Sequence, residues 1–143
     1  MATWEAFKSY LLTNHEGQEK SPRVVAVASV FPDGEPRLTF VSSAEDHEGS
    51  AWCSIDALVA PVSAVDMVRA ARLAGEKVCG GLATMPIGDQ EYLVLRHAMP
   101  IEQLDDGNID DFMSPFYGVT GGASGLAREL ASSTLCKYDE LPA

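Results

Sequence analysis

A chain of 143 residues, 46% hydrophobic and 22% charged, is long enough to build one core without metals or disulfides. Its net charge of −11 repels phosphate backbones and argues against nucleic-acid binding. Cys53, Cys79 and Cys136 are odd in number, widely spaced and without a CxxC pair, which argues against a secreted disulfide framework and for a reducing cytoplasm.

The first stretch, MATWEAFKSYLL, has an acid and a base inside its apolar run and no small-residue cleavage site. It reads as an amphipathic helix of the mature chain, not a signal peptide. Thr3 is the expected cap, and Trp4, Phe7, Tyr10 and Leu11 fall on one stripe. Residues 14 to 22 are polar and break the helix. No uncharged run approaches the ~20 apolar residues of a membrane span, so no membrane association is expected.

Two strands are predicted next, RVVAVASVF and PRLTFVSS, separated by the turn-forming Pro-Asp-Gly-Glu at 32 to 35. The polar link AEDHEG leads to a third, SAWCSIDALV, ended by Pro61. Three strands on short polar loops make an antiparallel meander. Ser63 with Asp66 three residues later suggests a capping box for a second helix, with Val65, Met67, Val68 and Ala71 on its apolar face as far as about Lys77. GGLATMPI and EYLVLRHAM then form a hairpin through Gly88, Asp89 and Gln90.

In that last strand Leu93, Leu95, His97 and Met99 point one way, and Tyr92, Val94, Arg96 and Ala98 the other. Both sets are largely apolar, which predicts a central strand covered on each side by a helix or a partner. Asn108 is the expected cap of a final helix, with Asp110 and Asp111 suited to its first turn. Phe112, Phe116, Val119, Ala123, Leu126 and Leu130 keep helical spacing, although glycines at 118, 121, 122 and 125 each cost ~1 kcal/mol against alanine. Either the helix breaks near Thr120 or it packs unusually close to a neighbour there; the pattern favours one long helix with a weak middle. The predicted fold is a single α+β domain over residues 1–143: one antiparallel five-stranded sheet with three helices, in the order α-β-β-β-α-β-β-α.

Chemistry is hard to find in this chain. His15, His47 and His97 lack the i+3 or i+4 companions of a metal site, and EDHE at 45 to 48 has the composition of a solvated hairpin tip. DDGNIDD at 105 to 111 lacks the alternating oxygen ligands and closing glutamate of a calcium loop. There is no GxSxG elbow and no phosphate loop. Cys53 reads as a small core residue. Cys79 and His97 fall on neighbouring strands, the one pairing that offers an enzyme hypothesis. Arg96 and His97 must face opposite sides of the sheet and so cannot act together; a buried Arg96 would need an anion, for which Asp110 or Asp111 are candidates.

The stretch EYLVLRHAMPIEQLDDGNIDDFMSPF resembles the passage from last strand to last helix in the YbjN-like branch of the type III secretion chaperone-like proteins. Leu95, Arg96, His97, Pro100, Leu104, Asn108, Ile109 and Asp110 are the matching positions, Arg96, Pro100, Asn108 and Asp110 being the structural signature. The element order resembles that branch over nearly the whole chain. Ala123-Ser124 stands where the branch tends toward Ala-Asp, so no role of that aspartate carries over.

The resemblance implies a non-enzymatic, cytoplasmic homodimer that binds a protein or extended peptide segment, with no cofactor. Trp4, Phe7 and Leu11 on the first helix, with Phe40 and Trp52 on the sheet, are the candidate peptide groove. Ala70, Ala71 and Ala74 are the candidate dimer face. The alternative is a small regulatory or ligand-binding domain with a pocket between sheet and helices.

Overall fold

A computed structural model describes residues 3–30, 36–76, 80–103 and 109–130. Helix α1 (Trp4–Asn14) begins where the Thr3 hydroxyl accepts from the Ala6 N–H at 3.2 Å, as its cap chemistry predicts. Phe7 and Leu11 turn inward and are buried. Trp4 Nε1 donates to the Pro22 carbonyl at 2.9 Å, and Lys8 Nζ reaches both that carbonyl and Glu19, at 3.3 and 3.2 Å. These bonds tie α1 to the start of the sheet.

Among the described residues the sheet has six strands, not the five expected: β1 (Gln18–Ser21), β2 (Val24–Val30), β3 (Pro36–Glu45), β4 (Ala51–Pro61), β5 (Gly81–Ile87) and β6 (Gln90–Pro100). They lie in the order β1-β2-β3-β4-β6-β5, with every neighbouring pair antiparallel. The additional strand is β1, whose Gln-Glu-Lys-Ser side chains are all exposed. As an edge strand with solvated side chains it needs only its backbone ladder to β2, so it carries no apolar alternation to read. β6 is internal, as expected, between β4 and β5.

The second helix, α2 (Met67–Ala74), follows a 3-10 turn at Val62–Ala64. Its cap is Asp66, whose carboxylate accepts from the Val68 and Arg69 N–H groups, so the capping box expected from Ser63 does not form. Helix α3 (Ile109–Leu130) runs unbroken through the glycines. Phe116, Val119, Ala123 and Leu126 are buried on its inner face, as their spacing predicts, and Leu130 is half-buried there. A Cβ on Gly122 would lie 3.0 Å from Leu95 Cδ2, so α3 meets β6 at a distance that this glycine permits. Arg69 of α2 donates to the Glu129 and Leu130 carbonyls at 2.7 and 3.3 Å, satisfying two carbonyls in the last described turn of α3.

All three helices contribute to one core cluster, with Val25, Val27, Val41, Cys53, Ile55, Ala57, Val59, Leu93 and Leu95 of the sheet. A bulge in β4, where Leu58 pairs with Val94 and Ala60 with Leu93, puts both Val59 and Ala60 on this side. The second cluster, on the other side, is made of strand residues alone: Ala26, Leu38, Leu58, Tyr92 and Val94, with Phe40, Ala83, Met85 and Ile87 beside them. Expectation and structure differ here. Helical cover lies on one face of the sheet, and among the described residues no helix packs on the other.

Candidate functional site: the open face of the sheet

Strand pairing lays out the open face row by row. Ala26, Phe40, Asp56 and Arg96 form one row across β2, β3, β4 and β6. Ser42, Ser54 and Ala98 form the next, and Ala44, Trp52 and Pro100 the one after it. The face therefore grades from the apolar cluster around Leu38, Leu58 and Val94, through a charged pair, to a tryptophan at its far end.

The charged pair is Asp56 and Arg96. Arg96 Nε donates to Asp56 Oδ1 at 2.5 Å, and Ser54 Oγ donates to the other carboxylate oxygen at 3.5 Å. The Asp56 side chain is 5% exposed and that of Arg96 46%, so the guanidinium covers the acid from the solvent side. This is the described partner of Arg96; the Asp110 and Asp111 side chains considered from sequence lie outside the described residues. His97 sits beside Ile55 on the helical side, so the two neighbours do face apart. Cys79, Asn108, Leu104, Cys136 and the turn at 32 to 35 lie outside the described residues.

At the Trp52 end, Asp46 organises the β3–β4 hairpin. Its Oδ1 accepts from the N–H groups of Glu48 and Ser50 at 2.9 and 3.0 Å, and its Oδ2 accepts from Trp52 Nε1 at 2.9 Å. The hydrogen bond from Trp52, with those from the backbone, holds the Asp46 carboxyl below its ordinary value of 3.8. The sequence reading of EDHE as a hairpin tip agrees with this geometry. Beside the hairpin lies an open cleft of about 320 Å³, lined by Asp46, Ser50, Ala51, Trp52, Pro100, Ile101 and Glu102. Sequence reasoning passed over Glu102 and Ile101, since nothing in their local pattern shows that β6 delivers them next to the β3–β4 tip.

The structure divides the five candidate groove residues. Trp4, Phe7 and Leu11 belong to the helical side, where Phe7 and Leu11 are core residues and Trp4 is half-buried. Phe40 and Trp52 are half-buried on the open side. No single groove contains all five. The three alanines of α2 are divided as well: Ala70 is fully buried in the core, Ala74 is half-buried against it, and Ala71 is exposed. The free side of α2 instead shows Met67 and Val68, 39% and 68% exposed. Ser124, at the position where the resemblance expects an aspartate, is buried on the inner side of α3.

Burial pushes the Cys53 thiol up to about 12, in keeping with a core residue and not a nucleophile. Among the described residues no three His, Cys, Asp or Glu side chains converge to hold a metal ion. None of the described helices is long and apolar enough to cross a membrane.

Among the described residues, fold and site together define a two-layer α+β domain, three helices on one face of an open antiparallel sheet, with a graded apolar and charged surface on the other. No family model, curated protein or solved structure matches the chain.

Proposed function

We propose that this chain is a non-enzymatic, chaperone-like protein that binds an extended segment of a partner protein across the open face of its sheet. The observation that carries the reading is the one-sided placement of the helices among the described residues. It leaves Phe40, Met85 and Ile87 only partly covered on a face that also holds Trp52. Such a face offers apolar pockets at two-residue spacing to an extended chain. The −11 net charge keeps a complex with an aggregation-prone segment soluble. The resemblance of the Leu95–Asp110 passage to the YbjN-like secretion chaperones supports the same reading, in which the protein works in the cytoplasm.

We place the homodimer contact on the free side of α2, around Met67, Val68 and Ala71, because Ala70 is already committed to the core. The alternative of a ligand pocket between sheet and helices has less support, since α3 closes onto Leu95 at Gly122.

Two measurements test the reading. A photo-crosslinking residue at Phe40, in the cell of origin, is expected to capture partner polypeptides that the same residue on exposed Glu5 does not. Val68→Asp is expected to convert a dimer to a monomer in light scattering. A wild-type chain that is monomeric at all concentrations would remove the dimer, and equal capture from both positions would remove the docking face.

A further inference from the structure

Resting on that reading, we propose that the Trp52 cleft is a subsite for one cationic side chain, arginine or lysine, of the bound segment. Three observations on the cleft converge on a cation. Its wall is an indole, the ring with the strongest attraction for a cation over its face. That indole is half-buried and held by its own N–H, which donates to Asp46 Oδ2, so the ring is fixed in place at the cleft. Its described lining contains two acids, Asp46 and Glu102, and no base.

The two acids have different roles. Asp46 already accepts from three donors, so it contributes fixed charge and holds the ring. Glu102 is exposed in the lining and can meet an incoming guanidinium or ammonium directly. Half-buried Pro100 supplies apolar wall for the aliphatic stem of such a side chain. A volume of about 320 Å³ suits a single long side chain with its water, at the end of the face farthest from the apolar cluster around Leu38, Leu58 and Val94.

The probe is a ten-residue Gly-Ser peptide with one central arginine, compared with the same peptide carrying citrulline, which keeps the shape and removes the charge. The readout is the pair of indole N–H resonances of the full-length protein, Trp52 reporting on the cleft and Trp4 serving as control. The arginine peptide is expected to shift Trp52 saturably and leave Trp4 in place, with no saturation for citrulline. Glu102→Gln, an exposed change that leaves the core untouched, is expected to weaken binding about two- to fivefold, the range of one exposed ion pair. Equal response to citrulline, an unmoved Trp52, or unchanged affinity in E102Q would each overturn the proposal.

A third peptide, uncharged and apolar, separates this inference from the reading on which it rests. If it moves the Phe40 and Val94 amides while arginine gains nothing, the docking face stands and the cationic subsite falls. If arginine moves Trp52 while the apolar peptide moves no strand, the subsite stands and the docking face falls.

Discussion

Gly121 and Gly122 are neighbours in one helix, yet substituting alanine at each should change stability in opposite directions. Alanine in a helix interior gains about 1 kcal/mol over glycine, and that gain is available at both sites. At Gly121 a new Cβ meets no atom within 4 Å, so Gly121→Ala should stabilise by about 0.5–1 kcal/mol. At Gly122 it meets Leu95 Cδ2 at 3.0 Å. Leu95 is fully buried between cross-strand neighbours Ala57 and Leu82, and its Cγ would lie only 2.9 Å from a Cβ on Gly80. It has little room to give way. Overpacking of that kind costs about 1–3 kcal/mol, which equals or exceeds the gain in propensity.

The expected net for Gly122→Ala is therefore a loss of roughly 0–2 kcal/mol. Urea unfolding reads this directly as midpoints moving in opposite directions at constant slope, by about 0.5 M upward for G121A. Leu95→Val removes the δ-carbons that obstruct position 122. In a double-mutant cycle G122A should cost less in that background, by about 0.5–2 kcal/mol. If G122A stabilises as much as G121A, or the cycle shows no coupling, the close approach of α3 to β6 is wrong.

Three further outcomes follow from the site. Arg96→Ala uncovers the Asp56 carboxylate and leaves it only the 3.5 Å contact from Ser54, which should cost about 1–3 kcal/mol; Asp56→Asn in the same R96A protein should recover part of it, measured by urea unfolding. The folded-state pKa of Asp46 is depressed, so its contribution is present above the unfolded value of 3.8 and disappears as pH falls through the lower folded value. The Trp52 indole resonance should accordingly stay in place through pH 3.8 and move only below it, and Trp52→Phe should raise the pH at which the Asp46 carboxyl titrates in carbon-detected spectra. Cys53, its thiol pushed up to about 12, should resist a thiol reagent in a Cys79→Ser, Cys136→Ser background until urea unfolds the chain; labelling at the rate of a free thiol in native buffer would contradict its burial.

Much of this molecule is legible in its residues one after another. Thr3 marks the start of α1 because a hydroxyl there meets an orphan N–H whatever surrounds it. Alternation in β6 is equally local: a pleated strand sends Arg96 and His97 to opposite sides before any neighbour is known. The stripe of Phe116, Val119, Ala123 and Leu126 survives four glycines because tertiary burial outweighs their propensity cost.

What the chain alone left open depends on which residues meet across long separations. β1 is a strand only because β2 offers it a ladder, and its polar residues carry no period. Asp66 replaces Ser63 as the cap of α2 because a 3-10 turn fills the intervening residues. An apolar β6 on both faces looks the same in sequence whether a helix lies on one side or two. Only the placement of all three helices on the same core cluster leaves the other face, among the described residues, without helical cover, and only strand order brings Glu102 beside Trp52. Local hydrogen bonding and periodicity are set by near neighbours in the chain, whereas a face or a cleft is assembled from strands that pair across dozens of residues, as Asp56 and Arg96 do.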